Sequence, residues 1–204
     1  MGFGFLLLGY FMAFLMSNLH AGLGFAGGYL MILGVWKLKD YKSKFRYSVY
    51  PIGAFMAIAL FKMIPDLLLI IGESSAFFKL AAVKTAVMSV ELLTVALINI
   101  TVFVAVSELA RDVGLEKLRV SALRNIYFFF AYAVLCAVRY LPIPYSVDVL
   151  KHFNLIIPLM QLFWIIVSLI TLISCFRSIA DKEKLDKEIA REIEEEQKND
   201  VGGK

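Results

Sequence analysis

The chain has 204 residues, 60% of them apolar, and a net charge of +4. Soluble domains are about 45–50% apolar, so a chain with a mean hydropathy of +0.77 lacks the polar side chains needed to cover a soluble surface. The charge is also concentrated. Residues 177–204 hold seven Lys/Arg and nine Asp/Glu, 16 of the 38 charged side chains, and most of the remainder falls in 37–46 and 111–124. Apolar runs divided by charged punctuation indicate membrane spans. The basic residues flank those runs and form no aromatic-interleaved stripe of the kind a nucleic-acid groove needs. The expected partner is therefore the lipid bilayer, and nucleic acid is excluded.

The expected fold class is all-α, a polytopic transmembrane helical bundle of about six spans with a charged cytoplasmic C-terminal helix. The transmembrane domain covers 1–176 and the tail 177–204. Spans are read at 2–16, 23–36, 47–71, 78–109, 125–140 and 153–176. The first two are near the short limit for a crossing, and Ser17, Asn18, Leu19 and His20 turn between them. Glycines 22, 24, 27 and 28 also allow residues 1–36 to form one irregular hairpin. The first segment lacks a basic flank and a small-residue cleavage site, so it reads as a retained span and not a signal peptide. The fourth span exceeds one crossing and implies tilt or protrusion. Cys136 and Cys175 fall within spans as small apolar residues.

Loop charge sets the orientation. Lys37, Lys39, Lys42, Lys44 and Arg46 lie between spans 2 and 3. Arg111, Lys117, Arg119 and Arg124 lie between spans 4 and 5. With seven more in the tail, 16 of 21 basic residues share one side of a six-span chain. The positive-inside rule places that side, and both termini, in the cytoplasm of a cell membrane. Trp36, Tyr47 and Tyr50 mark the inner border, and Tyr140 and Tyr145 the outer one. Pro142 and Pro144 hold the last outer loop extended.

In the tail, Glu183 and Lys187 form a favourable i,i+4 pair. Leu185, Ile189 and Ile193 form one apolar stripe at i+4 spacing, which offers a protein partner a docking surface. The stripe is shorter than three heptads, too short for a coiled coil.

Several motifs carry no chemistry here. Residues 22–27 spell G-x-G-x-x-G, but they open an apolar span with no strand before them, so no dinucleotide site follows. Close helix packing explains the glycines better. Gly24 with Gly28, Gly9 with Ala13, and Gly53 with Ala57 each place small residues on one face. The sequon at Asn99 lies inside span 4, out of reach of glycosylation. His20 and His152 come from different outer loops and could join Glu73 or Asp148 in a metal site. Without ligand spacing, two unrelated interfacial histidines are the simpler reading. No cofactor motif, metal signature or presented nucleophile is found, so the chain reads as non-enzymatic.

The charges inside the spans are more informative. Lys62 and Asp66 flank Pro65 in span 3, and Lys84 and Glu91 lie in span 4. A charge at the bilayer centre costs about 2.5–3.5 kcal/mol on insertion scales, so each needs a partner or a wet cavity. Counting about 1.5 Å per residue from the outer turn, Lys62 matches Glu91 in depth, and Asp66 matches Lys84. Arg139, Gln161 and Thr94 are placed to complete such a polar cluster. Two readings follow. One is an interaction or scaffold protein whose spans 3 and 4 are locked by self-neutralising pairs. The other is a small transporter or ion-translocating protein that uses the cluster as its polar site, with Pro65 breaking span 3.

Overall fold

In the computed structural model, residues 2–18, 20–39, 41–70, 81–139 and 147–202 are described. The side chains of Asn18, Asp66, Leu69, Ile70, Ala81, Val147, Asp148 and residues 179–202 lie outside that description. Residues 71–80 and 140–146, with Glu73, Tyr140, Pro142, Pro144 and Tyr145, also lie outside it. Among the described residues all regular structure is helical. The helices are α1 (Gly2–Phe14), α2 (Ala21–Leu38), α3 (Val49–Ile70), α4 (Ala81–Asp112), α5 (Glu116–Arg139) and α6 (Val147–Gly202), with 3-10 segments at Met16–Asn18 and Ser43–Ser48. Helices α2 to α6 provide five segments long and apolar enough to cross a membrane. Helix α1, at 13 residues, is about 20 Å long, short of the roughly 30 Å hydrocarbon core.

The surface of the bundle agrees with its composition. On α6, Leu159, Phe163, Ile166, Ile170 and Ile173 are exposed at three- and four-residue intervals, a continuous apolar stripe that hydrocarbon accommodates and water does not.

Helices α1 and α2 form an antiparallel hairpin with their backbones almost touching. A Cβ added at Gly27 would lie 2.4 Å from the Ala13 nitrogen, one at Gly34 2.5 Å from the Leu6 nitrogen, and one at Gly9 2.6 Å from the Met31 nitrogen. Lipid is as apolar as the helix faces, so association between spans depends on such close packing. Gly28 admits the Met56 side chain of α3, and Gly24 lies against Ser17. Gly53 differs from the packing role expected of it. It faces open space, with nothing within 4 Å of an added Cβ.

Three departures from the expected boundaries have local causes. Helix α5 begins at Glu116, about two turns before the expected span, because α4 ends in a tight reversal. Gly114 has φ +77°, and the amides of Leu115 and Gly114 close onto the carbonyls of Ala110 and Arg111 at 2.8 and 3.0 Å. This is a Schellman stop, and Glu116 with Arg119 then opens the next helix. Helix α3 passes through Pro65 to Ile70 without a break, so the interruption expected there is not found. Proline removes one helical hydrogen bond, a loss that spans tolerate when neighbours compensate. His20 serves as N-cap of α2, its Nδ1 accepting the Gly22 amide at 3.0 Å.

The basic segments gather at one end of the bundle. Gly2 lies against Leu38, and Phe3 meets Phe45 edge-on at 6.2 Å. Lys42 bonds Asp112 at 2.5 Å, and Lys44 bonds Glu108. Asn125, nearly midway along α5, bonds Thr171 of α6 at 2.8 Å. The start of α1, the 39–48 connection and the α4–α5 turn therefore share that end.

The hairpin makes a stability prediction. Gly27→Ala forces a methyl group into the Ala13 backbone and is expected to cost about 1–3 kcal/mol, read as a lower midpoint of thermal unfolding in detergent. Gly53→Ala should be neutral, or stabilising by up to about 1 kcal/mol. Equal effects at the two positions would contradict the packing.

Candidate functional site

Two polar arrangements on α4 tie it to other helices of the bundle. In the first, Lys62 of α3 donates to both carboxylate oxygens of Glu91 of α4, at 2.8 and 3.0 Å. The neighbours of each group on its own helix are mostly apolar, so each charge finds its counter-charge across the helix pair. The side chains are 41% and 25% exposed. The bridge thus lies on the flank of the α3–α4 packing and is not sealed in the interior.

Of the other expected members of this cluster, the side chains of Lys84, Arg139 and Thr94 are described. Lys84 is exposed and, among the described residues, makes no ion pair. The side chain of Asp66, its expected partner, lies outside the described residues. Arg139 is half-buried in the last turn of α5, a helix that packs on α4 and α6. Thr94 is buried and turns its hydroxyl onto the Val90 carbonyl of its own helix at 2.7 Å. The structure therefore joins two of the four span charges into one bridge; the second expected pair involves a side chain outside the described residues.

The second arrangement centres on a residue that sequence analysis treated only as an unreachable sequon. Asn99 of α4 is fully buried. Its Oδ1 accepts the Tyr10 hydroxyl at 2.7 Å and the Trp164 indole N–H at 3.2 Å. Its Nδ2 donates to the Val95 carbonyl at 2.9 Å. One amide thus ties α1, α4 and α6 together.

Trp164 is enclosed by aromatic rings. Phe129 lies at 5.1 Å, Phe14 at 5.6 Å and Tyr10 at 6.1 Å, and Tyr132 stacks at 5.8 Å with an interplanar angle of 8°. Tilted and edge-on ring pairs add about 0.5–1.5 kcal/mol each beyond burial. An asparagine in a span needs an acceptor and a donor from its neighbours, and Tyr10 and Trp164 are residues able to supply N–H or O–H groups from an apolar body. That was the available signal.

Chemically, the Asn99 centre holds helices and presents no reactive group to solvent. The Lys62–Glu91 bridge neutralises two charges and keeps part of their surface outward. Residues Leu185, Ile189 and Ile193 lie on the helical backbone of α6, and their side chains are outside the described residues. Among the described residues no cluster of metal-ligating side chains is formed.

Four variants test these roles. Asn99→Leu leaves the Tyr10 and Trp164 donors without their acceptor and is expected to cost about 1–3 kcal/mol, with a shift in Trp164 emission. Tyr10→Phe should cost about 1 kcal/mol. Lys62→Met strands the Glu91 carboxylate and should cost about 2–3 kcal/mol, whereas Lys62→Met with Glu91→Gln should recover most of the loss. Thermal unfolding of the four variants in one detergent provides the comparison. Comparison of the chain with protein-family models, with curated proteins and with solved structures gave no match.

Proposed function

We propose that this protein is a non-enzymatic membrane interaction or scaffold protein. It crosses a cell membrane about six times, keeps both termini in the cytoplasm, and displays the C-terminal part of α6 as a docking helix. The carrying observation is the length of α6, 56 residues in one helix. That is about 84 Å, against roughly 30 Å of hydrocarbon. Its last part, residues 177–202, holds 15 charged residues, a composition suited to water. The stripe of Leu185, Ile189 and Ile193 gives that helix one apolar face for a partner.

Other observations support the reading. The basic segments share one end of the bundle, as the positive-inside rule requires of cytoplasmic loops. The interior around Trp164 is filled by interlocked rings, which suits a rigid anchor. Helix α1 supplies the sixth crossing only if the bilayer thins beside it or neighbouring side chains cover its ends.

One observation favours a second reading, that of a small transporter or ion-translocating protein. The Lys62–Glu91 bridge is partly exposed, and a water path reaching it would make it a polar site.

Thiol labelling separates the two. In a background of Cys136→Ala, Cys175→Ala and Lys62→Met, Glu91→Cys is expected to stay unmodified by a membrane-impermeant maleimide applied from either side. Labelling from one side would favour transport. For the docking helix, a photo-crosslinking residue at Ile189 in intact cells should yield a discrete protein adduct, and the same residue at Lys187, on the opposite face, should not. No adduct at either position, or equal adducts at both, would count against the scaffold.

A further inference from the structure

At the basic end of the bundle, a cavity of about 340 Å³ opens between the last turns of α2 and the start of α3, lined by Val35, Trp36, Lys39, Arg46 and Val49. We propose that this cavity binds the phosphate headgroup of an anionic phospholipid of the adjoining leaflet.

The charges of the connection divide into two kinds. Lys42 and Lys44 are neutralised by Asp112 and Glu108 of α4. Lys39 and Arg46 line the cavity and, among the described residues, pair with no carboxylate. Two cations thus converge on one concavity while their neighbours are consumed in holding the connection to α4. The Lys39 ammonium lies 4.4 Å from the Trp36 ring centroid, a cation–π contact that positions the charge without cancelling it. Arg46 brings a planar fork that matches two phosphate oxygens.

The rest of the lining selects a lipid over a free anion. Val35 and Val49 give the cavity an apolar wall, suited to the glycerol and first methylenes below a headgroup. Trp36 is 60% exposed, and exposed tryptophans at span ends sit at headgroup level. Ligand pockets range over roughly 300–1,000 Å³, so this one suits a headgroup and not a whole lipid. Tyr47 and Tyr50, both exposed, extend the interfacial rim.

The test is a titration of the purified full chain in detergent micelles, with bound lipid counted by native mass spectrometry. Dioleoyl phosphatidylglycerol is expected to bind saturably at one site, and dioleoyl phosphatidylcholine much more weakly. Lys39→Gln with Arg46→Gln should lower the phosphatidylglycerol affinity about fivefold per charge removed, roughly 25-fold together. Arg111→Gln with Lys117→Gln removes the same charge from the neighbouring α4–α5 turn and should change it less than about threefold. Val49→Phe fills the cavity with every charge in place and should also abolish the site.

Equal binding of the two lipids, equal losses in the two double variants, or full binding by Val49→Phe would overturn the proposal. A parallel titration with inorganic phosphate follows Trp36 emission, with Trp36→Phe as the blank. Saturation by phosphate that excludes phosphatidylglycerol would assign the cavity to a soluble anion and overturn the lipid assignment.

Discussion

Hydrocarbon offers no substitute partner to a polar group, and that constraint organises this bundle. In water, Asn99, Tyr10 and Trp164 could each bond to solvent, and Lys62 and Glu91 could each stay hydrated. Within a bilayer they must find one another. The result is a pair of fixed points. One is an amide joining α1, α4 and α6, and the other is a bridge joining α3 to α4. Helix α4 takes part in both, so it registers the N-terminal hairpin, α3 and α6 against a common element.

Close packing does the remaining work where no polar partner exists. Gly9, Gly27 and Gly34 bring the backbones of α1 and α2 together, and dispersion between atoms at contact distance replaces the hydrophobic drive that is missing between apolar surfaces in lipid. The short α1 is thus secured along its length by α2, at its tip by the ring contacts of Phe14, and at its centre by Tyr10. A 13-residue helix would be marginal alone; here its conformation is imposed by its neighbours.

The parts legible in the sequence were those governed by long-range composition or by depth. The presence of several long apolar helices followed from hydropathy. Counting depth from one outer turn matched Lys62 with Glu91, and the two side chains are in contact. The same count matched Asp66 with Lys84; Lys84 is exposed, and the Asp66 side chain lies outside the described residues. Small-residue spacing pointed to Gly9, Gly24 and Gly28, but also to Gly53, which lies on the wrong face of α3. Spacing alone does not say which face meets a neighbour. The seven-residue intervals from Gly2 to Gly9 and from Gly27 to Gly34 were the better signal for an antiparallel seam. Asn99 was missed because its sequon was dismissed and its amide was not then matched to a partner. The pairing of Lys42 and Lys44 with α4 was illegible, because loop lysines read first as topology signals.

The unbroken length of α6 has a mechanical consequence. About 36 Å of helix extends from residue 179 to Gly202, continuous with the segment that carries Trp164. Such a rod behaves as a lever with its fulcrum in the bilayer. A tilt of about 10° at the aromatic centre, about 57 Å from Gly202, would sweep the far tip through roughly 10 Å. Small changes in membrane thickness or in the packing around Trp164 would thus be magnified at the distal end, and a partner held there would register the mechanical state of the membrane.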